Sequence, residues 1–258
     1  MQIFAIVVSP AITVVAVVLT TRAVRAMLAV IKQGQPALGR TDRPVARLGT
    51  MLKETVLHTR MLQWTWVGIL HWFAFAAFII LSSAVMQAYL QIFDPEFAWP
   101  IVGTLFLYEW VAEVIGFLGA LAIIPLIIYR IRNRPSANGR SSRFFGSTMW
   151  QAYFVEAMVL LESSAILFIR GAEFNLAKAH GGEPAEHATA FHFPLSQFFA
   201  NLFPTGADSI GSLENAIYII AMIKIVSAMV WLIVIASNLT MGVASAPVHR
   251  PVQHLLQA

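Results

Sequence analysis

Leu62-Gln-Trp-Thr-Trp-Val-Gly68-Ile-Leu-His71-Trp72-Phe-Ala-Phe75-Ala-Ala-Phe-Ile-Ile-Leu-Ser-Ser-Ala-Val-Met-Gln-Ala-Tyr-Leu90 decides the fold. It is an apolar run longer than the roughly 20 residues that a bilayer-crossing helix needs. Four more such runs surround it: Ile3 to Leu28 with Pro10, Val102 to Ile128 with Pro125, Met149 to Ile169, and Leu213 to Ala244. The whole chain is 58% hydrophobic and 12% charged, with a mean hydropathy of +0.72. Soluble domains are near a quarter charged, so this is the composition of an integral membrane protein. A helical bundle satisfies its backbone polar groups internally, as a bilayer requires. The sequence therefore predicts an all-α bundle of five transmembrane helices. The first run has no basic region or small-residue cleavage site before it, and reads as a retained helix rather than a signal peptide.

Lysine and arginine give the expected orientation. Arg22, Arg25, Lys32, Arg40, Arg43, Arg47, Lys53 and Arg60 lie between spans one and two, and Arg130, Arg132, Arg134, Arg140 and Arg143 between spans three and four. Residues 91–101 carry none, and residues 170–212 carry Arg170 and Lys178 alone. Basic loops stay cytoplasmic, which predicts the N-terminus outside and the C-terminus inside. The net charge of +4 is thus a topology signal and points to no nucleic acid. The absence of cysteine excludes disulfides, cysteine-bound zinc and thiolate-held iron–sulfur clusters within these residues. After span four, 173–190 is polar. The apolar, aromatic segment 191–203 predicts a short helix lying in the outer interface, ended by Pro204 and Gly206.

Polar side chains inside the spans are the candidate functional groups, because such groups are costly in lipid unless paired or used. His71 lies mid-span and His58 just before the span. Each is either hydrogen-bonded to a neighbouring helix or a ligand to haem iron, one of few uses of imidazole in a helical bundle. Along a continuous helix they stand about 20 Å apart at 1.5 Å per residue, so they would serve two different haems. Glu109 and Glu113 in span three share a helix face. Glu156 and Glu162 lie in span four and Lys224 in span five. These charges read as a buried ion pair, as a proton path or as the wall of a quinone pocket. Glu109, toward the outside, reads equally as a wet interfacial side chain. Lys224 is expected to pair with Glu113 or Glu156. His192 reads as an interfacial histidine, and His180 and His187 as solvated ones with weak metal potential.

Five spans, a histidine at the inner edge of span two and Gly68-x-x-His71-Trp72 within it resemble the nitrate reductase gamma-subunit family of membrane cytochromes b. Leu57-His58-Thr-Arg60, that same motif, and Ser237-Asn-Leu-Thr-Met-Gly-Val-Ala244 are more closely similar to the membrane domain of actinobacterial iron–sulfur, heterodisulfide-reductase-like reductases. The resemblance covers residues 1–244. It implies electron transfer from a soluble donor, an electron-transfer flavoprotein, to menaquinone in the bacterial plasma (inner) membrane. It also implies b-type haem on His58 and His71, and 4Fe-4S clusters in a cysteine-rich cytoplasmic domain or partner subunit. Two departures stand out. The family's span five supplies histidines, whereas residues 213–244 contain none. The family also continues into a cluster domain, whereas residues 245–258 form a short tail with no cluster motif. That tail reads as a truncated or frame-shifted end. His249 lies there between Pro247 and Pro251, which oppose a continuing helix.

The function expected from the sequence is that of a membrane electron-transfer component, with 1–244 as the five-span domain. The rival is a non-redox membrane anchor or assembly subunit of a respiratory complex. A small transporter is disfavoured by the lack of repeats and of paired broken helices.

Overall fold

Among the described residues the α-helices are, in order, α1 (Gln2–Lys32), α2 (Pro44–Val56), α3 (Thr65–Gln91), α4 (Phe106–Arg132), α5 (Pro135–Asn138), α6 (Met149–His180), α7 (Gly182–His187), α8 (Ser196–Phe199) and α9 (Ile210–Ser237). They come from a computed structural model that describes residues 1–34 and 42–238. No strand occurs among the described residues, and α1, α3, α4, α6 and α9 are each long and apolar enough to cross a bilayer. The five-span all-α reading therefore holds.

Around the bundle, α1 packs on α9, α9 on α6 and α3, α6 on α4, and α4 on α3. Lipid is as apolar as leucine, so membrane helices are held by close approach of small residues and by polar bonds. Both are visible. Gly119 of α4 faces Ala77 and Ser163, where an added Cβ would stand 2.5 Å from the Ala77 methyl. Thr13 of α1 shares a 2.5 Å hydrogen bond with the Tyr89 hydroxyl of α3. Large apolar side chains along α1, α3 and α4 are exposed, as lipid contact demands, whereas α6 and α9 expose only Trp150 and Ile223 of this kind.

Alternation of the spans gives the bundle two ends. Met1, residues 92–105 and residues 181–209 lie at one end, where the Met1 ammonium reaches Asn215 Oδ1 at 3.3 Å and Gln2 donates to the Phe93 carbonyl at 3.0 Å. We name it the Met1 face. Residues 57–64 and 133–148 lie at the opposite, arginine-rich face.

Four expectations are corrected. Span two does not run continuously from His58. Helix α2 ends at Val56, His58 takes the left-handed conformation (φ +50°), and a 3-10 turn at Met61–Gln63 precedes α3. Span three starts later, at Phe106 rather than Val102. Span four does not stop at Ile169 but continues to His180, because nothing in Arg170–His180 breaks a helix strongly enough. The segment 191–203 does not form a helix lying in the interface. It folds inward onto α6 with Phe193, Ser196 and Ala200 buried, and holds only the single turns α8 and Ala200–Leu202. Asn175 of α6 fastens it by donating to the carbonyls of Ala200, Phe203 and Pro204 at 2.9 to 3.2 Å. The expectations for Met241 to Ala244, the tail 245–258 and His249 lie outside the described residues.

Candidate functional site

Three polar layers lie along the bundle, and the helices explain how each is built.

At the arginine-rich face the chain doubles back between α2 and α3. Trp72 Nε1 donates to the Val56 carbonyl at 2.9 Å, pinning the end of α2 against α3. Gly68 permits this fold, since a Cβ there would meet the Met61 carbonyl oxygen at 2.4 Å. The glycine and tryptophan of the Gly68-x-x-His71-Trp72 motif thus shape the turn. The result brings the His58 ring to 4.5 Å from Phe75 and 5.9 Å from His71, centroid to centroid. That replaces the separation of about 20 Å expected for a continuous helix. Imidazoles this close do not fit two haems ligated separately across the membrane. They fit at most one iron between or beside them. His71 is exposed and His58 half-buried, and α9 offers no histidine among its described residues. A left-handed non-glycine residue such as His58 costs on the order of 1–3 kcal/mol and marks a conformation that its surroundings impose.

In the middle of the bundle, α3, α6 and α9 enclose a cavity of about 230 Å³. Its walls include Phe78, Leu81, Met158 and Trp231, with Phe78 and Trp231 paired at 4.9 Å between centroids. Ser82, Glu162, Ser163 and Ser227 interrupt this apolar wall, and Glu162 is its one ionisable group. Glu162 accepts a hydrogen bond from the Ser227 hydroxyl, which also contacts the Lys224 carbonyl at 2.9 Å. The Lys224 side chain is 1% exposed and interacts through charge with Glu162 and Glu173.

Toward the Met1 face the charges condense. Arg170, a residue that the sequence placed in a loop, is buried in α6. Its Nε donates to Glu113 Oε1 at 2.6 Å. Its other nitrogens lie 3.5 Å from Glu109, 3.9 Å from Glu173 and 2.8 Å from the His192 carbonyl. Glu113, fully buried, also accepts from the backbone N–H of Leu195 and Ser196 at 2.8 and 2.9 Å and from the Ser196 hydroxyl at 2.5 Å. Gln91 of α3 donates to Glu173 at 2.5 Å. A void of about 10 Å³ lined by Gln91, Arg170, Glu173 and Lys224 joins the two layers, about the room one water needs. Glu109 ends the series, accepting from His187 at 3.0 Å and His192 at 2.7 Å.

Several sequence expectations fail here. Lys224 does not pair with Glu113 or Glu156, because arginines take both: Arg170 takes Glu113, and Arg130 takes Glu156 at 2.6 Å. Glu156 therefore stands apart from the other buried acids, at the arginine-rich end. Glu109 is not a wet side chain but 2% exposed, and His187 and His192 are gathered over it rather than solvated. His180 behaves as expected, bonded to Glu96 at the surface at 2.8 Å. Arg170, Glu173 and Ser196 were missed. The available signal was the helical spacing of Arg170 and Glu173 beyond the assumed end of span four.

The arrangement can hold a flat apolar ring in the cavity and offer it a carboxyl. From that carboxyl, Lys224, Glu173, Arg170, Glu113 and Glu109 lead to the Met1 face. No family model, curated protein or solved structure matches the chain.

Proposed function

We propose that this chain is the quinone-binding membrane component of an electron-transfer system, passing electrons from a soluble donor to menaquinone. One observation carries the reading: the mid-membrane cavity is mostly apolar, its polar lining residues being Ser82, Ser163, Ser227 and the single ionisable group Glu162, and Glu162 begins a buried series of ionisable groups. Quinone reduction takes up two electrons and two protons and yields the quinol. A ring site inside lipid therefore needs both an apolar slot and a proton supply. In this reading the cavity holds the ring, Ser227 and Glu162 face its oxygens, and the acids beyond Lys224 exchange protons with the Met1 face. By the positive-inside argument that face is external, with the arginine-rich face in the cytoplasm of a bacterial plasma membrane. The family resemblance supplies the rest of the proposal: an electron-transfer flavoprotein as donor, and 4Fe-4S clusters in a cysteine-rich domain or partner subunit. It also supplies b-type haem, held through at least one of His58 and His71. That haem would supply one-electron transfer. A membrane anchor without redox activity is the second reading, favoured by the histidine-free α9.

The test is quinone binding by the protein in lipid nanodiscs. Naphthoquinone titration should quench Trp231 fluorescence saturably, with Trp231→Phe identifying the signal. Ala228→Trp, which fills the cavity, should weaken binding at least tenfold. Equal binding by Ala228→Trp and the parent protein would exclude this cavity as the site. A flat reduced-minus-oxidised spectrum after haem-replete expression would leave the quinone site standing and remove haem.

A further inference from the structure

The Met1 face holds a constellation that electron transfer to a quinone does not require. Glu109 stands in the first turn of α4, His187 at the end of α7, and His192 in the segment that folds back onto α6. His187 Nε2 lies 3.0 Å from one Glu109 oxygen and His192 Nδ1 lies 2.7 Å from the other. One ligand-capable atom from each residue falls within 4.8 Å of the rest. The two imidazole rings stack with centroids 3.7 Å apart, so both nitrogens approach the carboxylate from one side. Around a tetrahedral ion with bonds of 2.0–2.1 Å, neighbouring ligand atoms stand about 3.3 Å apart. The contacts of His187 and His192 to Glu109, at 3.0 and 2.7 Å, would open by a few tenths of an ångström, and the three ligand atoms, now within 4.8 Å of one another, would close around one ion.

Charge gives an independent reason. Arg170 is surrounded by Glu109, Glu113 and Glu173 at 3.5, 2.6 and 3.9 Å. One cation against three carboxylates is a formal charge of −2. Adding the next pair inward, Lys224 and Glu162, leaves it unchanged. Buried charge of this size is relieved either by protonation of a carboxyl or by a cation, and a divalent cation on Glu109 would offset a deficit of two. Access is available, because the His187 and His192 side chains are 34% and 24% exposed while Glu109 is 3%.

We propose that Glu109, His187 and His192 form a binding site for one divalent transition-metal ion, with Zn²⁺ the best match. Two imidazoles and one carboxylate are a donor set that zinc takes with a fourth position left open. The ion would clip the 182–196 segment to α4 and hold it over the Glu113–Arg170 pair. The inference stands independently of the quinone reading, since neither menaquinone nor haem enters it.

The experiment uses the full chain in nanodiscs, stripped with chelator and titrated with ZnCl₂ by calorimetry. One Zn²⁺ per chain is expected, and Co²⁺ in its place should give the visible absorption of a tetrahedral site. His187→Ala and His192→Ala should each weaken binding about 100-fold or more, whereas His180→Ala, at the Glu96 pair, should leave it unchanged. His187 is partly exposed, so its removal tests the site without emptying the buried network. Binding absent from the parent protein would overturn the proposal. Weak binding of several ions, equal in His187→Ala and His192→Ala, would overturn it as well.

Discussion

In α9 every buried residue lies between Leu213 and Ser227, and none from Ala228 to Ser237. Helix α6 repeats the pattern: Ser163 to Leu176 supplies eleven of its thirteen buried residues, leaving only Ala152 and Glu156 toward the arginine-rich face. The half of the bundle nearer Met1 is closed, and the other half is open. Buried polar groups divide the same way. Gln91, Glu109, Glu113, Arg170, Asn175, Ser196 and Lys224 brace the closed half, while the open half has Ser142 and Glu156, the latter paired with the partly exposed Arg130. Apolar burial cannot drive helices together in lipid, so packing is tight where polar bonds and small residues hold it. The 230 Å³ cavity sits where that bracing ends, between Met158 and Ser163 on α6 and between Ser227 and Leu232 on α9. A rigid half that carries charges and a looser half that admits a ring is the division of labour that the comparison suggests.

Breaking the closed half should have the largest effect. Arg170→Met strands Glu113 among donors and leaves Glu109 and Glu173 without their guanidinium. Loss of one partner from a buried pair costs about 3–5 kcal/mol. Unfolding in mixed micelles should show a loss of that order. Arg130→Met, whose side chain is 18% exposed, should lose clearly less. Equal losses at the two arginines would erase the distinction between the halves.

Lys224 sharpens the comparison at its boundary. It has two acidic neighbours and no close ion pair with Glu113 or Glu156, so its coupling should be directional. In double-mutant cycles, Lys224→Met with Glu162→Gln or Glu173→Gln should show coupling of about 0.5–3 kcal/mol. Cycles with Glu113→Gln or Glu156→Gln should show coupling near zero. Coupling to Glu156 alone would restore the pairing expected from depth and contradict the network drawn here.

How much of this the sequence could carry depends on the kind of interaction. Hydropathy and length placed all five spans, because bilayer thickness imposes them residue by residue. The candidate acids and Lys224 were legible for the same reason, as charges inside apolar runs. Their partners were not. Depth alone ranks Glu113 and Glu156 beside Lys224, but helix rotation turns each toward an arginine, and rotation is fixed by packing between helices. Arg170 was lost because hydropathy drops where a buried ion network begins, and this looks the same as the end of a span. The approach of His58 to His71 was hidden by a turn that needs both the absence of a side chain at Gly68, against which Met61 packs, and the hydrogen bond from Trp72. The gathering of His187 and His192 over Glu109 joins residues 78 and 83 positions apart, beyond any local pattern.

Two glycines give the smallest and most local test of the same contrast. Gly119 lies at the meeting of α3, α4 and α6. A Cβ there would stand 2.5 Å from the Ala77 methyl and 2.9 Å from Ser163 Oγ, closer than carbon atoms tolerate. Gly119→Ala must push the helices apart, and overpacking of this kind costs about 1–3 kcal/mol. Gly49 lies inside α2, at the arginine-rich end, with nothing within 4 Å of the same built atom. There the alanine meets no resistance and gains helix propensity, stabilising α2 by up to about 1 kcal/mol. The two substitutions add the same methyl group and differ only in surroundings, so opposite signs are expected. Thermal melts of the two variants in one detergent read the difference directly. A Gly119→Ala protein as stable as the parent would mean that α3 and α4 do not approach as closely as the Ala77–Gly119 contact requires. The closed half would then owe its rigidity to the Arg170 network alone.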